Sequence, residues 1–250
     1  VVYAPAQAFI DIPTAAFNFI GSVGPVASEP GDTLLTPGPD GIFSLFAHWS
    51  FPSAGFETWM EWGRAEAPRD FKDFLEAPHH SRGYTLGLRH THPSTTSGQL
   101  SFEAEITSLE PSQSFRLKQH GEWYTSRRVV QGYTHKGRVI GAGIGPSGSS
   151  QWLAVDWIEH SWNLGLFGTR MRLENEALYS YFPEYRRADL TLLAGVRGAV
   201  QLGPLKFEAA WAESIRLNYL FQTKPLPNDA YRGVDLRNRI LRLSFSATGE

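Results

Sequence analysis

Residues 56–89 read FETWMEWGRAEAPRDFKDFLEAPHHSRGYTLGLR, and the fold turns on their pattern. On an extended chain Phe56, Thr58, Met60 and Trp62 share one face, and Glu57, Trp59 and Glu61 take the other. In the returning arm Tyr84, Leu86 and Leu88 oppose Thr85, Gly87 and Arg89. Period-two alternation with carboxylates on one side marks a strand with an apolar neighbour on one face and water on the other. A long polar connection, 65–81, separates the two arms. The apolar neighbour is either a protein core or lipid, and the flanking segments decide which to expect.

Upstream, residues 42–50 (IFSLFAHWS) predict a strand with Phe43, Leu45, Ala47 and Trp49 on one face, turned by FPSAG into the opening stretch. Downstream, 99–109 alternates Leu100, Phe102, Ala104 and Ile106 against Ser101, Glu103, Glu105 and Thr107. After an irregular region, 110–150, strands resume at 151–159, with Leu153, Val155 and Trp157 opposing Trp152, Ala154 and Asp156. Further strands are expected at 162–172, 188–202, 205–218 and 235–247. In the third of these Phe207, Ala209, Trp211 and Ile215 oppose Lys206, Glu208, Ser214 and Arg216. The last carries Leu241, Leu243 and Phe245 on its outward face.

The connections sort by length. FPSAG, HTHPSTTSG, EHSWN and LGPL are short, whereas 65–81, 110–150, 174–187 and 219–234 are long. Alternating short and long connections are the mark of an up-and-down meander with one plain end and one elaborate end. A Greek-key sandwich does not sort its loops this way. The expectation is an all-β fold: an antiparallel up-and-down transmembrane β-barrel, with about ten strands here as part of a larger barrel. Its domain is 42–250. Residues 1–41 form an irregular leading segment, with one short alternating piece near 6–12 and a Gly-, Pro- and Asp-rich loop after it.

Composition narrows the function classes. The 250 residues carry 23 Lys and Arg against 25 Asp and Glu, for a net charge of −2, which gives no electrostatic case for nucleic acid. There is no cysteine, so disulfides and thiolate metal sites are excluded. No apolar run approaches the roughly 20 residues of a membrane helix. Barrel strands remain open to the chain because they spend only alternate positions on lipid.

Two stretches carry a family likeness. FETWMEWGR followed by DFKDFLEAPHHSRGYTLGLRH resembles a signature of the Wzi-like capsule assembly family, in which an acidic strand leads through a Pro-x-His-Ser type element into an AYxLG-like strand. VVQGYTHKGRVIGAGIGPSGSSQWLAV, residues 129–155, resembles that family's Gly-Tyr-Thr-x-x-Gly segment and the Ile-Gly-Pro-Gly-Ser-like loop after it. The similarity extends over about 42–247. It implies an outer-membrane, lectin-like barrel that serves capsule or exopolysaccharide assembly or attachment, with no catalysis and no cofactor. Family members have nearly twice as many strands and some an N-terminal helical bundle, so the likeness implies a C-terminal portion or a reduced relative. Pro78-His79-His80-Ser81 departs from the pattern by carrying His where the family has Asp.

The chemistry-bearing groups divide as follows. Gly143–Gly148 fits G-x-G-x-x-G, but a strand pattern follows instead of the helix a phosphate loop needs, so a tight surface turn is expected. His79, His80, His90 and His92 raise the question of zinc, which requires three converging ligands. Ser147, Ser149, His135, His160 and Asp156 are the residues a barrel hydrolase would draw on, without a G-x-S-x-G elbow to select among them.

Glu57, Trp59, Glu61, Arg89, Glu103, Glu105, Arg197, Glu208 and Arg216 are expected to face the lumen as a mixed-charge surface. A single-sign ion pore would not carry both charges. At the elaborate end, Arg64, Arg82, Trp123, Tyr124, Arg127, Arg128, Gln131, Tyr133, His135 and Arg138 combine cations with aromatic rings. That suits an acidic capsular or exopolysaccharide: rings stack on sugar C–H faces and guanidinium forks hold carboxylate or phosphate. Outer-membrane lipid, lipopolysaccharide and a larger surface assembly are the other partners expected. A pore or transporter is the main alternative function, and a barrel hydrolase the lesser one.

Overall fold

A computed structural model describes residues 40–66, 71–93, 98–112, 122–125, 131–181, 187–225 and 231–247. The expected leading segment 1–41 lies outside them, apart from Asp40 and Gly41, which open the first strand. The strands are β1 (Asp40–Phe51), β2 (Phe56–Glu66), β3 (Arg82–Pro93), β4 (Gln99–Ser108), β5 (Thr134–His135), β6 (Arg138–Val139), β7 (Ser149–Ile158), β8 (Trp162–Leu173), β9 (Asp189–Leu202), β10 (Leu205–Leu217), β11 (Thr223–Pro225), β12 (Tyr231–Gly233) and β13 (Leu236–Ala247).

Nine of these form one sheet in the order β1-β2-β3-β4-β7-β8-β9-β10-β13. Once the two short ribbons, β5-β6 and β11-β12, are set aside, neighbours in the sheet are neighbours in sequence. The pairings from β3 to β13 are antiparallel throughout. The fold is therefore an all-β antiparallel meander, as the connection lengths predict. Among the described residues β1 and β13 are its unpaired edges.

Helices were not expected, yet two short ones lie in the long connections, Phe71–Glu76 and Asn175–Tyr181. At six and seven residues they are shorter than any length that is stable alone, so they depend on what they pack against. Neither, nor any other helix among the described residues, is long and apolar enough to cross a membrane.

The chain divides into two compact units. One comprises 1–45, 62–83 and 111–141; the other comprises 46–61, 84–110 and 142–250. The second unit shows what the alternation does. Its register aligns His90, Phe102, Val155, Leu166, Val196, Trp211 and Leu241 in one row across seven strands. The next row on the same face runs His92, Leu100, Trp157, Leu164, Gly198, Ala209 and Leu243. Most of the large apolar side chains in these rows are exposed, Leu166 by 65% and Leu243 by 71%.

Buried apolar residues are correspondingly few among those described: Leu109, Trp123, Ala154, Leu178 and Ala212. Soluble monomers seldom expose a contiguous apolar surface above a few hundred Å². Here the apolar face is the uncovered one.

The opposite face is polar, more buried, and crossed by side chains that span a whole strand. Asp156, Gly165 and Arg197 are register partners on β7, β8 and β9, and the Asp156 carboxylate reaches over Gly165 to the Arg197 guanidinium at 2.9 and 2.6 Å. Trp59 likewise lies over Gly87, and its Nε1 donates to Glu105 at 2.8 Å. Phe167 covers Gly195. A Cβ on Gly165 would overlap the Asp156 carboxylate, so glycine is required there by space rather than by backbone angle.

Gly165→Ala is expected to lower unfolding stability by about 1–3 kcal/mol, the usual cost of overpacking. Gly143→Ala, where a Cβ meets nothing within 4 Å, serves as the control and should be near neutral. Denaturant titration of the two variants in the same detergent or buffer measures the difference. Equal stabilities would show that the strand-spanning ion pair does not constrain the sheet.

Candidate functional site

The expected glycan-binding residues fall in the first unit, and the structure sorts them by exposure. Arg64, at the end of β2, is only 1% exposed. Its Nε and both Nη atoms have no hydrogen-bond partner among the described residues, and it lies 5.5 Å from the Phe74 ring, with the charges of Asp73 and Glu66 partly offsetting the cost of its burial. His80, also buried, places Nε2 3.7 Å from the Glu66 carboxylate. Ser81, adjacent to it, holds a left-handed φ of 52° and accepts from the Ala65 N–H at 3.0 Å. Arg64 therefore supports the β2 terminus and the helix Phe71–Glu76 and presents no surface to a polymer.

Trp123 is 5% exposed and covers Gly63, so it too is interior. Tyr124 packs against it at 5.9 Å between ring centroids and accepts the Tyr133 N–H through its carbonyl at 2.9 Å. The Tyr124 ring covers Gly141, and the Ile140 N–H returns to the Tyr133 carbonyl at 2.9 Å. These contacts fix the hairpin β5-β6. It leaves Gln131, His135, Lys136 and Arg138 exposed, with Tyr133 half-buried. Arg82 is exposed on the first residue of β3. Arg127 and Arg128 lie outside the described residues. The surviving candidate surface of this unit is thus Arg82 and, on the hairpin, Gln131, Tyr133, His135 and Arg138.

The nine residues expected to face the lumen share the polar face by strand parity. Glu57, Arg89 and Glu103 form a chain: the Arg89 Nη1 is 3.3 Å from Glu57, and Nε and Nη2 donate to Glu103 at 3.1 and 2.7 Å. His48 extends it, 2.6 Å from Glu57. Arg89 lies 6.0 Å from the Trp59 ring, and Arg197 lies 5.9 Å from both Trp152 and Phe167. Glu208 pairs with Lys206.

Arg216 belongs to a more buried pair. Its Nε and Nη2 donate to both oxygens of Asp189, at 2.8 and 2.7 Å, and the Leu220 N–H also donates to Asp189. Asp189 is fully buried, and the sequence does not mark it because position 189 lies at the expected boundary of a strand.

The other candidate chemistry does not assemble. Ser147 donates to Glu176 at 3.3 Å and Ser149 to Glu110 at 2.5 Å, so the described partners of both hydroxyls are carboxylates and not imidazoles. His160 is exposed, and Asp156 is taken by Arg197. The glycine loop runs into β7 with positive φ at Gly145 and Ser147, a turn leading to a strand. His90 and His92 stand 6.3 Å apart between rings, on the apolar face. Among the described residues no three His, Cys, Asp or Glu side chains converge for a metal ion.

Comparison with protein-family models, with curated proteins and with solved structures finds no match.

Asp189→Ala would leave the Arg216 guanidinium half-buried without its fork and the Leu220 N–H without an acceptor. A loss of about 3–5 kcal/mol is expected for breaking such a buried pair. Chemical unfolding measures it, and a loss under about 1 kcal/mol would class the pair with exposed surface bridges.

Proposed function

We propose that this chain is an outer-membrane β-barrel protein, as a whole barrel or part of a larger one, that assembles or attaches acidic capsular polysaccharide or exopolysaccharide at a Gram-negative type cell surface. The observation that carries the membrane half is the registered apolar face of the second unit, exposed row after row from β3 to β13. Each large apolar side chain left against water forgoes about 1.5–3 kcal/mol. Lipid removes that cost without a protein core, and a closed barrel, in which every strand has a neighbour on both sides, is one of two ways a chain can cross hydrocarbon. The mixed-charge face then becomes the lumen wall, where Arg and carboxylate side chains neutralise one another.

The glycan half is supported by Arg82, Gln131, Tyr133, His135 and Arg138 in the first unit and by the resemblance to the Wzi-like family. Guanidinium forks and a hydroxyl-bearing ring suit a uronate-bearing chain. The protein binds and does not catalyse in this reading; the carboxylate partners of Ser147 and Ser149 favour it over a hydrolase. Lipopolysaccharide and a larger surface assembly are the neighbours it would meet.

Leu166→Arg and Leu243→Arg put charge on the proposed lipid face, at about 2–4 kcal/mol each near a bilayer midplane. Both should cut insertion into outer-membrane lipid vesicles. A wild-type chain that stays monodisperse in buffer without detergent and ignores vesicles would sink the membrane reading. Separately, Arg82→Gln and Arg138→Gln should weaken retention on immobilised polygalacturonate several-fold, and retention should fall with added salt. Retention by neither wild type nor variants at low salt would remove the glycan half.

A further inference from the structure

The polar face of the second unit holds a cavity of about 510 Å³, within the size range of small-molecule sites. Five of its lining residues lie in one register row, Ser101, Asp156, Arg197, Ala210 and Arg242, with Gly165 of that row covered by the Asp156 carboxylate. The small side chains of Ala199 and Ala210 leave the space, while the charged groups line it. Arg89 and Arg197 are pinned by bidentate or forked bonds to Glu103 and Asp156 and backed by aromatic rings, so their planes are set before anything binds.

Two lining side chains, Asn163 and Ser244, make no hydrogen bond among the described residues, and Arg242 meets Glu208 through its charge alone, with no side-chain hydrogen bond or close ion pair there. The Arg197 Nη1 is also left over once Nε and Nη2 are given to Asp156. The lining is balanced in charge: Arg89, Arg197 and Arg242 against Glu103, Asp156 and Glu208. A ligand with net charge of either sign would meet repulsion from half of that set. One that offers many hydroxyls, each able to donate to a carboxylate and accept from a guanidinium or amide, meets none.

We propose that this cavity is a binding site for a short, uncharged oligosaccharide segment, held by Arg242, Asn163 and Ser244 against the preset Arg197–Asp156 pair. Its lining includes neither Arg82 nor any hairpin residue, and the ligand it suits is neutral where theirs is acidic. It stands whether or not the acidic-polysaccharide reading holds.

Calorimetric titration of the full chain in detergent with maltohexaose, cellohexaose and mannohexaose tests it, beside oligogalacturonate of similar length. At least one neutral probe should bind saturably and with little dependence on salt. Arg242→Gln and Asn163→Ala should each weaken that binding about tenfold, and Lys72→Gln, on an exposed helix, should not. Both substitutions sit at solvent-accessible positions, and retained thermal unfolding would show the fold intact. The proposal is overturned if no neutral probe binds, if binding ignores both substitutions, or if only oligogalacturonate binds and added salt abolishes it. Loss of polygalacturonate retention in Arg82→Gln with neutral binding unchanged would separate the two sites.

Discussion

Backbone pairing in an antiparallel sheet fixes which side chains share a face, because a slip of one residue moves every side chain to the opposite side. From β3 to β13 the pairing keeps one parity without interruption, so Phe102, Val155, Leu166, Val196, Trp211 and Leu241 stand in line. Everything else in the second unit follows from that parity. The apolar rows are left uncovered, the charged rows are gathered opposite them, and the cavity opens where the charged rows contain alanine.

The crowding of the polar face has its own logic. Charges that meet only their next-strand neighbour would leave intervening small residues idle. Here glycine lets a side chain cross a strand: Asp156 over Gly165 to Arg197, and Trp59 over Gly87 to Glu105. Such bridges tie strands two apart, which backbone hydrogen bonds cannot do. They also hold guanidiniums in place against rings, so that their orientation does not depend on a ligand.

Much of the meander was legible in the chain because the signals are local. Period-two alternation gave the faces of Phe102 and Glu103, and connection lengths gave the order of strands. The helices Phe71–Glu76 and Asn175–Tyr181 were not legible, since neither is long enough to show a period. Arg64 and Trp123 were placed with the exposed binding groups because a charged or amphipathic residue beside a loop ordinarily meets water; only the packing of Phe74, Glu66 and Gly63 puts them inside. Arg242 is not among the expected lumen residues, although its parity, opposite to Leu241 and Leu243, marks it as polar-face. Gly165 and Gly87 gave no local sign, because what they accommodate arrives from another strand.

The two unpaired edges carry a counting rule. With β1, β2 and β3 alternating as the strands from β3 to β13 do, the two edges are co-directional. Zipping one straight onto the other would then make a parallel seam beside pairings that are antiparallel from β3 to β13. A ring antiparallel at every joint would need an odd number of further strands between those two edges, and β13 would bring its arginines and leucines to the joint it made.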